Sequence, residues 1–518
     1  MTRGEGDEMA AVNTTSISVE RLRREGDAFM EDLSREYYLA SSGQKATAEL
    51  QPIYAKYAAI LGPDALAMVL ELFRGAPAGS EEFRGTRILT DWLVEAQSAR
   101  ALAALDEREI AWEGSAIVRL ADGRGIEYQR VAIDLANSVD ARERHVIEEA
   151  RARLVENELA PLRRERFQRE RDITEDIGVA DGYNASFELL SGVDLNGLRA
   201  ECDAFLRETQ AMWDEVLPEF LRSRLGMTPA EVTRADALAL FRAKEFDRFF
   251  PPASMESSIR KQVRDMGIDP TAGGRILFDT GDREGKRSRA FCAPVRVPNE
   301  VYLVMRPHGG QTDWNTFLHE LGHALHFAYM RPDLPYEYRW LGDNSITEGY
   351  AMLFDHLMQD AGWLKRYTEV GPGNLQTFLR AVGFEELHFL RRYTAKLGYE
   401  IELYGGKLPW DALPDLYTDR LTSATSFRYS PADAFVDVDP HFYAARYLRA
   451  WQLQALLTET LVERFDADWW RNPRAGPWIC SALFGEGQRE LADEQAQRVA
   501  GKKLTFDPLV RAVTRLLQ

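Results

Sequence analysis

The chain has 518 residues, of which 45% are hydrophobic and 28% charged, with a formal net charge of −18. At roughly 150 residues per domain this length allows about three domains or one large elaborated unit, and the ordinary globular composition excludes a disordered, collagen-like or repeat-peptide protein. The acidic balance argues against a nucleic-acid wrapper, which needs a basic surface, and the absence of any run of about 18 uncharged apolar residues argues against a membrane span.

Residues 1–17 read as a loose tail, small and polar, without the basic start and apolar run of a secretory signal. The cysteines, Cys202, Cys292 and Cys480, are far apart and odd in number. They form neither a disulfide framework nor a CxxC zinc module, and they fit a reducing cytoplasm. From Ser18 the apolar spacing is helical, through Val19, Leu22, Phe29, Met30 and Leu33, then Leu50, Ile53, Tyr54, Tyr57 and Leu61. Gly62-Pro63 and Gly75-Ala76-Pro77 cut this region into helix-length pieces. Ser115 to Leu120 and Glu127 to Ile133 predict a hairpin about Asp122-Gly123. A long charged helix follows, roughly Asp140 to Asp172. Its basic run, Arg163, Arg164, Arg166, Arg169 and Arg171, is interleaved with Glu165 and Glu170 and reads as a solvated, salt-bridged face.

Helical spacing resumes from Leu198 to Leu225. Ala290 to Val297 and Val301 to Met305 predict two strands joined at Pro298-Asn299. After them the pattern is helical almost to Gln518. The expectation is a mainly α protein with small β-hairpins. It divides into a helical N-terminal region, 18–205, with its hairpin near 115–133, and a second region, 206–518, folded as one unit around a cleft.

Of the eight histidines, five lie between His308 and His356, and among them stands His319-Glu320-Leu321-Gly322-His323. On a helix, residues four apart sit about 40° apart around the axis and about 6 Å along it, so two imidazoles of an H-E-x-x-H segment can share one ion. Glu320, next to the first, can take a proton from a metal-activated water. Chance gives on the order of 0.01 such matches in a chain of this make-up. The helix is supported by an apolar stripe of Phe317, Leu318, Leu321, Ala324, Leu325 and Ala328. Thr312 or Asp313 can cap its start, and Pro332 stops its end.

A zinc site needs a third ligand. Downstream stand Asp333, Glu337, Asp343, Glu348 and Asp355. Glu348 is favoured because it falls in the first turn of a second predicted helix, although Ser345-x-x-Glu348 also fits a capping box. Asp355, seven residues later on the same face, can orient a ligand histidine or stand as a surface carboxylate.

His319-Glu320-Leu321-Gly322-His323-Ala324-Leu325-His326, with Glu348 twenty-five residues after the second histidine, resembles the thimet oligopeptidase and oligoendopeptidase F family of zinc peptidases. Gly285-Lys286 to Ala290-Phe291 is similar to that family's GK-x-GAF stretch. Pro440-His441-Phe442-Tyr443 with Tyr447 is similar to its C-terminal His/Tyr segment, and Leu483-Phe484-Gly485 to Glu490-Leu491 to its last block. The likeness covers about 273–518. It implies a large helical, zincin-like metallopeptidase with a deep substrate cleft, one Zn2+ and short peptides as substrates. His319, His323 and Glu348 would hold the metal, and Glu320 would be general base and then proton shuttle to the leaving amine. Tyr443 or Tyr447 would donate to the oxyanion, with His441 nearby in substrate binding. It also implies that Val301 to Met305 is an edge strand binding an extended peptide. His326 reads as a packed histidine or one that supports a ligand, and His308 has no assigned role.

Two departures bear on substrate choice. Arg289 stands where the family has Gly or His, and Ala444, Ala445 and Arg446 thin the tyrosine segment. They motivate one rival expectation, a zinc hydrolase of a non-peptide or biosynthetic amide on the same scaffold; a second rival, a binding protein with a relict site, is opposed by the intact H-E-x-x-H and glutamate set. No GxSxG, GxGxxG or complete P-loop occurs. Gly281 to Ser288 falls one residue short between its glycines.

Overall fold

The computed structural model of the chain describes residues 17–518. The predicted tail therefore lies, but for Ile17, outside the described residues. The protein is mainly α with two small sheets. No helix among the described residues is long and apolar enough to cross a membrane.

Ser18 caps α1 (Val19–Ser41) by accepting from Arg21 N–H at 3.2 Å. The two punctuation points behave as read. α2 (Leu50–Lys56) precedes Gly62, Pro63 opens α3 (Pro63–Gly75), and Ser80 caps the long α4 (Glu81–Ser115). α1, α3 and α4 share a core of Leu22, Phe29, Val69 and Leu89 that also takes in Tyr336 and Trp340. The N-terminal helices thus pack on the segment just beyond the H-E-x-x-H helix. Arg23–Glu337 at 2.5 Å and Arg339–Asp27 at 3.0 Å tie the same pieces together.

The predicted hairpin forms, but it is shorter than expected. β1 (Ile117–Arg119) pairs antiparallel with β2 (Gly125–Glu127), and the chain then turns through Tyr128–Arg130 into α5 (Val131–Asn137). Val131 and Leu135, four apart and both buried against Val118 and Leu120, select helix over strand here.

The charged helix begins at its Asp140 cap as α6 (Ala141–Leu154) and widens through a π turn at Val155–Leu159. It continues as α7 (Ala160–Ile177), five residues past the expected end. Pro161, lacking an N–H, accounts for the wide turn. Its basic face is salt-bridged as read, with Arg163 on Glu109, Arg166 on Asp106 at 2.8 Å and Arg164 on Asp411 at 3.3 Å, but Arg163 and Arg166 are largely buried rather than solvated.

Next come α8 (Gly182–Ser191), α9 (Leu195–Glu208), α10 (Gln210–Leu225), α11 (Arg234–Arg242) and α12 (Pro252–Asp265). The second sheet combines β3 (Ile276–Asp279), β4 (Phe291–Arg296) and β5 (Glu300–Val304) in the order β3-β5-β4. β5 runs parallel to β3 and antiparallel to β4. This corrects the expectation for Val301–Met305. That run is the central strand, flanked on both sides, so its main chain is already paired; β4 is an edge strand.

α13 (Gln311–Tyr329) carries the H-E-x-x-H residues, followed by α14 (Tyr336–Trp340), α15 (Asn344–Asp355), α16 (Ala361–Tyr367), α17 (Pro372–Gly405), α18 (Leu413–Thr425) and α19 (Tyr443–Phe465). α20 (Ala475–Ala482), α21 (Ala492–Ala500) and α22 (Asp507–Leu517) close the chain. The largest core runs from Phe167 to Leu517 and crosses residue 205 without a break, through Cys202, Phe205 and Trp213. Lys286, from the discarded phosphate-loop near miss, is buried and bonds Asp279 and Gly281, closing its own loop.

Candidate metal centre

α13 starts after Gly310 without a side-chain cap. Asp313 sits inside the first turn and accepts from the His308 and Gly309 amides at 2.6 and 2.7 Å, holding the entering loop; Thr312 is likewise within the helix. Leu318, Leu321, Ala324 and Leu325 are fully buried, which fixes the helix's rotation and turns His319, Glu320 and His323 toward a partly open side.

α15 packs across α13 at Gly322, where a Cβ would come within 2.6 Å of Ala351 Cα and 2.9 Å of the Tyr350 carbonyl oxygen. This close approach brings Glu348 beneath both histidines. Asp343, not Ser345, caps α15, accepting from Ser345 N–H at 2.9 Å, so Glu348 is not engaged in a capping box. Glu348 is buried, and its Oε2 has no hydrogen-bond partner.

Toward that oxygen point His319 Nε2 at 3.5 Å and His323 Nε2 at 3.8 Å, and one ligand atom from each of the three residues lies within 4.8 Å of the others. A tetrahedral zinc with bonds of about 2.1 Å separates its ligand atoms by roughly 3.4 Å. The donor set and an orphaned buried carboxylate oxygen both fit one such ion.

The outer ring nitrogens are held in place. His319 Nδ1 meets Asp355 Oδ2 at 2.8 Å, and His323 Nδ1 meets Thr347 Oγ1 at 2.9 Å. Asp355 thus stands where it can orient a ligand histidine, and Nδ1–H donation to it leaves the His319 Nε2 lone pair facing the convergence point. His356 extends this chain, bonding Asp355 at 2.5 Å and Glu386 of α17 at 3.1 Å.

The electrostatics of the bare protein make the same point. Burial works against charge on His319, but the hydrogen bond to Asp355 and the nearby Glu348 carboxylate outweigh it and raise its pKa to about 10. Burial dominates at His323, which falls to about 4. Burial also raises the Glu320 carboxyl, opposed by the field of His319 and the Cys292 amide, which donates to Oε2 at 2.7 Å.

Tyr443 and Tyr447 lie on one face of α19, rings 4.8 Å apart. Tyr443 donates to Glu348 Oε1 at 2.7 Å, which fixes the carboxylate from behind. Tyr447 is half-buried between Tyr443, Tyr393 and Trp451. Glu348, after burial, raises its pKa further, so its hydroxyl keeps its proton.

His441 points elsewhere. Its Nδ1 meets the Tyr183 hydroxyl at 3.1 Å, which itself donates to Glu170, and it lines a cavity of about 40 Å3 with Asp91 and Ser186. His441 and Phe442 both take left-handed backbone angles, φ +54° and +50°, where the chain bends into α19. His326 is fully buried among Phe327, Tyr350 and Phe484, a packed histidine.

Sequence reasoning missed Thr347, the Cys292 amide and the His356–Glu386 extension. Only the first had a local signal, its place beside Glu348. Compared with known proteins, the chain matches no family model and no curated protein.

Proposed function

We propose that the protein is a zinc-dependent metallopeptidase that hydrolyses short peptides. The observation that carries this reading is the convergence of His319 Nε2, His323 Nε2 and the unpartnered Glu348 Oε2 beside Glu320. When bound, a zinc ion supplies Lewis-acid polarisation of the scissile carbonyl and a water of lowered pKa.

The chain's own residues do the rest. Glu320 accepts the proton of the attacking water at its carboxylate and returns it to the leaving amine nitrogen. Its Oε2 is aimed by the Cys292 amide. Tyr447 is the better donor to the developing oxyanion, because Tyr443 already spends its O–H on Glu348. An extended peptide pairs with β4, the edge strand beside Glu320, rather than with the central β5. Arg289 is exposed, and its field reaches both Glu320 and Tyr447, so it is placed to meet a substrate carboxylate.

Glu320→Gln tests the mechanism. Zinc should remain bound at one equivalent while peptide hydrolysis is lost; undiminished turnover in that variant refutes it. A mixed short-peptide library separates peptide hydrolysis from action on another amide, which would leave the library intact despite stoichiometric zinc.

A further inference from the structure

On the far side of α17 from the metal centre lies a cavity of about 610 Å3 between α9, α10, α17 and α18, a volume typical of small-molecule sites. Arg391 projects into its wall, and Tyr393, about 200° around the same helix, packs against Tyr447. The cavity is therefore separate from the metal centre.

Its lining is apolar in body and cationic at the edge. Leu206, Ala395 and Ala424 supply the first character; Arg207, Arg391 and Arg420 supply the second. Arg391 is fully buried, a position in which a guanidinium is ordinarily met by a carboxylate. Here every acceptor is neutral. Nε donates to the Ala424 carbonyl at 2.6 Å. Nη1 donates to the Leu206 carbonyl at 3.0 Å and to Thr209 Oγ1 at 2.7 Å, and Nη2 to Gln210 Oε1 at 2.6 Å.

A guanidinium has five N–H donors, so one on Nη2 is left over. The Trp213 ring, 5.5 Å away, offers only partial compensation. Arg420 Nε is likewise buried without a partner. Among the described residues none of the three arginines forms an ion pair, and Asp419 is the one carboxylate in the lining. Burial pulls the Arg391 pKa down to about 10, only partly opposed by Asp214, which stands behind Gln210 and makes no direct ion pair with the guanidinium.

We propose that this cavity binds a small organic dianion, a phosphate ester or a dicarboxylate, whose oxygens supply the missing counter-charge to Arg391, Arg420 and Arg207. Planar guanidinium forks suit both oxyanions, and the apolar wall receives the carbon frame.

The test uses the full chain, with glycerol 3-phosphate and succinate as probes at ionic strength matched by sodium chloride. Calorimetry and thermal unfolding should show saturable binding of one equivalent of at least one probe; whichever binds identifies the class. Arg207→Ala/Arg420→Ala should weaken that binding tenfold or more. Asp419→Asn, which removes a repelling charge, should strengthen it severalfold, an effect that misfolding does not produce. Absence of saturable binding by both probes, or affinity unchanged in both variants, overturns the proposal.

Discussion

Replacing Gly322 by Ala isolates the contact that brings the candidate metal ligands together. The new Cβ would stand 2.6 Å from Ala351 Cα and 2.9 Å from the Tyr350 carbonyl oxygen, both backbone atoms that cannot rotate away. Carbon atoms rest at about 3.5–4.0 Å, so α13 and α15 must part by roughly 1 Å. The ligand atoms lie 3.5 and 3.8 Å apart across those helices. A zinc site tolerates about 0.2 Å in each bond, so a 1 Å displacement of Glu348 removes the third ligand from reach.

The cost in stability is about 1–3 kcal/mol for overpacking. Intrinsic propensity works the other way, since Ala favours helix over Gly by about 1 kcal/mol. The sign is therefore diagnostic. Gly114, also helical but with nothing within 4 Å of its would-be Cβ, serves as the control. Gly322→Ala should lower zinc affinity at least tenfold in competition with a chromophoric chelator and lower the urea midpoint, while Gly114→Ala should do neither. Wild-type zinc affinity and stability in Gly322→Ala would refute the reasoning.

Asp355→Asn should weaken zinc binding by about 10–100-fold, because it removes the anion that orients His319; a chelator competition reads this without any substrate. Tyr447→Phe should lower kcat by about 100-fold with zinc retained, as for a lost oxyanion donor, whereas Tyr443→Phe, which frees Glu348 Oε1, should also weaken zinc binding. Glu400 is fully buried with Oε2 unpartnered, near Lys396, Asp437 and Asp439, and burial raises its pKa from 4.5 to about 8. The folded chain keeps a proton there that the unfolded chain loses, so this group's stabilisation is full below about pH 4.5 and declines as the pH rises toward 8. Glu400→Gln should shrink the fall in unfolding midpoint between pH 5 and pH 8; an equal fall in both proteins would contradict the assignment.

The helix of the H-E-x-x-H residues was legible because apolar residues at helical spacing and two histidines four apart specify the same rotation. Glu348 and Asp355 could be reached by spacing along a second helix. The sheet was misread for a physical reason. β3 is only four residues, Ile276–Asp279, too short to show alternation, and without it Val301–Met305 takes the place of an edge. The capping box that Ser345-x-x-Glu348 also fits does not form, because Asp343, two residues earlier, caps α15 instead. His441 was grouped with the tyrosines through the likeness of Pro440-His441-Phe442-Tyr443 to the family's His/Tyr segment. The left-handed angles at His441 and Phe442 turn the chain between it and Tyr443, so neighbours in sequence face different partners. Glu386 and Arg391 act from α17 through contacts that no local pattern announces.

The spacing of α15 from its two neighbours differs in kind. Against α13 the close approach is made by Gly322 onto backbone atoms of Ala351 and Tyr350. Against α19 it is made by Gly349, whose would-be Cβ first meets the Leu453 Cδ2 methyl at 3.0 Å and only then the Ala450 carbonyl oxygen at 3.4 Å. A methyl at the end of a side chain can rotate; a peptide cannot. The distance between the histidines and Glu348 is therefore set by backbone against backbone, while the spacing of α15 from the helix bearing Tyr443 and Tyr447 is set first by a side chain, and the Tyr443–Glu348 hydrogen bond spans it. For the proposed hydrolase the first spacing matters more, because a metal requires ligand positions fixed to tenths of an ångström, and Gly322 is the residue that sets it.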